Sequence, residues 1–158
     1  MEILRNKDTD FREIVDWKYE PKFEPINTEY GELNIHYIDE GSENHKTVLL
    51  LHGEPTWGYL YRKFVDPLVA NGLRVIVPDL PGFGKSDKLS ERDGYTYEKY
   101  VDWMNIWLNN LDLSQVTLFG QDWGGLIGLR LVVKNQERFS SVVVSNTGLP
   151  TGERPLGE

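Results

Sequence analysis

Three runs of this sequence, TVLLLHG, LRVIVPDL and QVTLFGQ, are apolar without the alternation that would leave one face wet. A strand of that kind must be covered on both faces. A fourth run, SSVVVSNT, has the same character. Helix-compatible segments lie between them. Residues 58–69 carry Leu60, Phe64 and Leu68 at i, i+4 and i+8, an expected inward stripe, with Pro67 near the segment's end. Residues 97–111 carry Trp103 and Trp107 one turn apart, expected as helix packing, and LIGLRLVVKNQ reads as another helix. NIHYIDEG alternates and is expected as a half-buried strand. Buried strands alternating with helices imply an α/β fold, a mostly parallel sheet with flanking helices.

The 158 residues suit one domain with a sizeable core. The polar, Pro-interrupted start, including YEPKFEPINTEYGELN, reads as an irregular arm over roughly residues 1–30. TGERPLGE closes a linker-like tail from about residue 148 to residue 158. No internal repeat or low-complexity tract interrupts the chain.

Composition removes several function classes. A net charge of −8 argues against a nucleic-acid surface and against electrostatic docking on anionic membranes. The absence of cysteine removes thiolate catalysis, disulfides and Cys-ligated zinc. MEILRNKDTDFREIVDW has no apolar core of signal-peptide length, and no later segment is long enough to span a bilayer. The expectation is a cytoplasmic protein.

The chemistry concentrates at LFGQDWGGLIG, residues 118–128. Gly120-Gln121-Asp122-Trp123-Gly124 follows a buried strand and precedes a helix, the setting of a G-x-nucleophile-x-G elbow. Glycines on both sides admit a turn too tight for side chains. The turn lifts the middle side chain out at the carboxyl end of the sheet. Asp122 would otherwise be an ordinary helix N-cap, but the flanking glycines favour the elbow. The next backbone N–H, that of Trp123, stands at a helix start as an oxyanion donor. Leu51-His52-Gly53-Glu54-Pro55 follows another buried strand, and the N–H of Glu54 is a candidate second donor. The segment from Asp79 to Asp87, DLPGFGKSD, reads as a structured turn beside the site with no chemistry of its own. Trp57, Tyr59 and Tyr61 are expected to pack the start of the helix that follows. No metal, nucleotide or flavin signature is present, and the acid among Gly120, Gly124 and Gly125 argues against a phosphate site.

HGEPTWGYLYRKF, PDLPGFGKSD and GQDWGGLIGL together resemble the α/β-hydrolase fold, and within it the haloalkane dehalogenases. The sharper pair is the Trp directly after Asp122 and the Glu of HGEP. The resemblance implies hydrolytic dehalogenation of small apolar halogenated substrates by water, with no cofactor. Asp122 would be the nucleophile, and the Trp123 indole a halide ligand completed by a Trp in a cap domain. Glu54 would sit where a water could be oriented. A carboxylate suits this reaction: attack on an sp³ carbon gives an ester, whose carbonyl water can then open with oxyanion-hole support.

In this fold the triad runs nucleophile, acid, histidine along the chain. The three histidines here, His36, His45 and His52, all precede Asp122. The expectation is therefore the N-terminal part of an α/β-hydrolase core, truncated before the cap and the last strands. The missing C-terminal half would be its natural partner. Two alternatives remain: an epoxide hydrolase of the same fold, which would need ring-activating tyrosines from a cap, and a non-catalytic truncated fragment.

Overall fold

The computed structural model describes residues 1–11 and 13–149. Among these residues eight strands form two sheets. β2 (Lys22–Thr28), β3 (Gly31–Glu40), β4 (Lys46–Leu51), β5 (Leu73–Pro78), β7 (Val116–Gln121) and β8 (Phe139–Ser145) make one sheet in the order β2-β3-β5-β4-β7-β8. β1 (Ile3–Leu4) and β6 (Lys88–Leu89) pair as a short antiparallel ribbon. In the large sheet β5, β4, β7 and β8 are parallel to one another, while β3 pairs antiparallel with both β2 and β5.

The unbroken apolar runs are explained by cover on both faces. Leu49, Leu51, Ile76 and Leu118 point into one core with α2 (Tyr97–Asn110) and α3 (Trp123–Lys134). Val48, Leu50, Val75 and Val77 point into the other, beside α1 (Val65–Ala70). Alternate residues of one strand therefore serve opposite cores. Each fully buried Leu or Val contributes about 1.5–3 kcal/mol relative to exposure. α2 is capped by Thr96, whose hydroxyl accepts the Lys99 N–H at 3.2 Å, and buries Trp103 and Trp107.

Four expectations change. Residues 58–69 are not one helix: Gly58–Tyr61 is a 3₁₀ turn, and α1 starts only at Val65. Leu60 and Phe64 consequently face outward at 36% and 44% exposure, while Tyr61 and Val65 are buried. The Tyr61 hydroxyl donates to the Leu51 carbonyl at 2.7 Å, which anchors the turn on β4. The first thirty residues are not wholly irregular, since they contain β2, an edge strand whose Pro25 needs no outer partner. Trp57 and Tyr59 do more than pack a helix start: they stack at 5.5 Å and both meet Trp17 of the arm. NIHYIDEG is not half-buried, because β3 lies inside the sheet and consecutive His36, Tyr37 and Ile38 are all buried.

The tail from residue 150 onward lies outside the described residues. Among those described, no helix is long and apolar enough to cross a membrane. β8 is the other edge of the large sheet, and Val142, Val143 and Val144 are each 42–50% exposed.

Candidate active site

The strand register sets the site. Leu51 at the end of β4 pairs with Gly120 near the end of β7, so the loops that follow emerge side by side. Asp122 sits between β7 and α3 with φ 54° and ψ −124°. That is the conformation of the first central residue of a type II′ turn, which glycine normally fills. A non-glycine residue held there stores about 1–3 kcal/mol of strain. Its backbone is tied down on both sides. The Asp122 N–H donates to the Asn146 carbonyl at 3.1 Å. The Asp122 carbonyl accepts from the Thr147 hydroxyl at 2.7 Å and from the Gly125 N–H at 3.0 Å.

The glycines here are required by close approach. A Cβ on Gly124 would lie 2.1 Å from the Leu51 carbonyl oxygen, and one on Gly53 would lie 2.3 Å from the Asp122 Cβ. Those absent side chains let the 52–57 loop rest directly on the elbow. The Glu54 N–H donates to Asp122 Oδ1 at 2.9 Å. Trp123 opens α3, so its own N–H, at the first helical position, has no acceptor within the helix. Its ring packs edge-on to Tyr97 at 6.1 Å. A cleft of about 640 Å³ opens beside these loops, lined by Glu54, Leu80, Phe83, Tyr97, Tyr100 and Trp123 among others. Burial raises the Tyr100 hydroxyl well above the ordinary tyrosine range, so it stays protonated there.

The histidines are occupied or distant. The buried His52 accepts the Leu80 N–H on Nε2 at 2.9 Å, so Nδ1 carries the proton and donates to the Gly53 carbonyl at 2.9 Å. Burial lowers its affinity for a second proton, against the pull of the Asp79 charge and the Gly53 hydrogen bond. His36, also buried, meets Asp79 Oδ2 through Nδ1 at 2.8 Å. His45 lies in the turn before β4, at the far end of that six-residue strand, about 20 Å from the site at about 3.3 Å per residue.

Sequence reasoning assigned no chemistry to 79–87, yet Asp79 holds the neighbouring loops together. Its carboxylate accepts the Gly58 N–H at 2.7 Å and the Lys85 N–H at 2.7 Å, besides His36. The Ser86 hydroxyl donates to its carbonyl at 2.7 Å. Burial pushes the Asp79 carboxyl up, but the His36 hydrogen bond and charge and the Lys85 N–H outweigh it and hold it below the usual range. Thr147 was also missed. A polar NTG after a strand carries no signal that its hydroxyl will clasp an elbow.

The α/β fold and its acid-bearing elbow define the scaffold, and comparison with known proteins places it. The family model described as alpha/beta hydrolase fold matches residues 46–156, and the chain belongs to that family. It is 54% identical over 159 residues to the haloalkane dehalogenase of Psychrobacter cryohalolentis, covering 100% of this chain and 52% of that protein. With the haloalkane dehalogenase of Mycolicibacterium paratuberculosis it is 44% identical over 155 residues, 98% of this chain and 52% of the relative. The tetrameric haloalkane dehalogenase DpaA from Paraglaciecola agarilytica superimposes with a TM-score of 0.92 at 38% identity, over 100% of this chain and 53% of that one. The chain thus spans about half the length of the curated relatives it matches.

Proposed function

We propose that the protein to which this chain belongs removes halide from haloalkanes hydrolytically, through a covalent alkyl ester on Asp122. The observation that carries the reading is the Asp122 carboxylate, raised on a strained elbow with the Glu54 N–H on one oxygen at 2.9 Å. An Asp Oδ attacks the carbon bearing the halogen; the C–O bond forms as the C–X bond breaks, and the electron pair leaves with the halide. The Trp123 indole N–H is a donor for that halide that does not titrate. The aromatic cleft suits an apolar chain in the substrate.

Water then adds to the Asp122 ester carbonyl, and the N–H groups of Glu54 and Trp123 receive the developing oxyanion. Collapse expels the alcohol and restores the carboxylate, leaving one proton and one halide for each water consumed. A base must take the proton from water. His36 and His52 are buried and engaged, and His45 stands at the wrong end of β4, so none of these three histidines is that base. Glu54, exposed at the mouth, orients the water. Resemblance to haloalkane dehalogenases over the whole of this chain supports the choice of electrophile over an epoxide.

Halide release by the intact protein tests this reading. Wild type is expected to liberate halide with many turnovers, and Asp122→Asn none. Undiminished halide release from Asp122→Asn, or none from wild type with brominated or chlorinated alkanes, rejects it.

A further inference from the structure

The Glu54 N–H belongs to the same peptide as the Gly53 carbonyl, and the two groups of a trans peptide point in opposite directions. Whatever holds that carbonyl therefore aims the N–H. Gly53 must lack a side chain, because a Cβ would lie 2.3 Å from the Asp122 Cβ. Glycine is also the residue that least restrains the orientation of its own peptide. The peptide facing Asp122 thus needs an external grip.

We infer that His52 is a positioning residue for the oxyanion hole: its Nδ1–H holds the Gly53 carbonyl so that the Glu54 N–H points at Asp122. The inference rests on the function proposed above. The grip is direct, at 2.9 Å, and is shared by the Thr56 hydroxyl at 3.0 Å and the Thr56 N–H at 3.2 Å. The ring is itself locked. Leu80 donates its N–H to Nε2 at 2.9 Å, which selects the tautomer with the proton on Nδ1. Phe83 packs against the ring edge-on at 5.6 Å. Leu80 follows Asp79, whose carboxylate is fixed by three donors. A continuous set of hydrogen bonds thus runs from the buried Asp79 turn, through His52, to the donor on Asp122.

The role separates the two half-reactions. Displacement of halide needs the nucleophile, whereas ester hydrolysis alone develops an oxyanion. Two substitutions in the intact protein divide the functions of the ring. In His52→Gln the side-chain carbonyl can still accept from Leu80 but the grip on Gly53 is lost. In His52→Asn an amide nitrogen stands near the position of Nδ1 and restores the grip. His52→Gln is expected to release about one halide per chain in a burst, then turn over at least about tenfold more slowly than wild type while alkylated Asp122 accumulates. Its crystal structure should show the Glu54 N–H turned from Asp122. His52→Asn should recover most of the hydrolysis rate and the contact. Equal impairment of both variants, or wild-type turnover with an intact contact in His52→Gln, overturns the inference. If neither variant folds, nitrogen NMR of the wild-type protein decides: a His52 ring protonated on Nδ1 supports the grip, and one protonated on Nε2 rejects it. If wild type releases no halide, the functional reading fails on its own, and the orientation of the 53–54 peptide in the variant crystal structures still decides the inference.

Discussion

Asp79 is fully buried and charged, a state that is costly unless every oxygen is satisfied. Two N–H groups and the His36 ring satisfy it. Asp79→Asn keeps the shape but weakens those bonds and places an amide group among donors. Loss of about 3–5 kcal/mol is expected, read from urea unfolding. The wild-type pH dependence should show two windows. Burial depresses His52, so the folded state resists its protonation; stability is complete above its unfolded value near about 6.5 and declines as pH falls below it. Asp79 is held below its unfolded value near about 3.9, so its contribution persists above that pH and is lost as pH falls through the lower folded value. His52→Asn should flatten the upper window alone. A wild-type protein equally stable at pH values of about 7 and 5 contradicts the first assignment. At Trp123 the question is chemical. Trp123→Phe keeps an aromatic ring but removes the indole N–H, and should slow dehalogenation by about tenfold to a hundredfold, the value of a hydrogen bond to a charged group. An unchanged halide-release rate in a folded variant removes the role.

α3 meets the sheet through backbone, because Gly120 lies against Gly124 and Gly125 and Gly124 lies against the carbonyls of Leu51 and His52 at the end of β4. Gly124→Ala would set a methyl 2.1 Å from the Leu51 carbonyl and 2.6 Å from that of His52, neither of which can rotate away. A loss of at least about 3 kcal/mol is expected in denaturant titration. A loss below about 1 kcal/mol would mean that the first turn of α3 can shift outward. These elements were legible in the sequence because their reason is local: uninterrupted apolar runs for β4, β5 and β7, and glycines flanking an acid at the elbow. The outward turn of Leu60 and Phe64 was not, since a 3.6-residue period assumes one continuous helix. A 3₁₀ turn over Gly58–Tyr61 resets the phase before Val65. β2 was hidden by Pro25, which only its place at the sheet edge excuses. The Asp79 hub joins residues 43 positions apart, and no local pattern reports a pairing of that kind.

At the scale of the molecule, the described residues leave one side of the sheet uncovered. β8 pairs with β7 alone, and three consecutive valines, which must point to alternate faces, are all exposed. An apolar strand with a free edge invites pairing between chains. Val143→Lys should reduce light scattering of the 158-residue chain at equal concentration without lowering its unfolding midpoint. The distribution of chemistry is equally one-sided. The nucleophile, one halide donor and both oxyanion N–H groups are proposed within this chain, while no histidine reaches the ester. Alkylation of Asp122 requires the nucleophile, a halide donor and an apolar cleft, whereas hydrolysis also requires a base. The 158-residue chain, shown by circular dichroism to be folded, should therefore take up one alkyl group from a haloalkane and stop. Intact-mass spectrometry should find a single slow adduct that is absent from Asp122→Asn, with halide release ending near one per chain. Release of many halides per chain would mean that a carboxylate already at the mouth, Glu54, takes the proton from water. Loss of that turnover in Glu54→Gln would identify it.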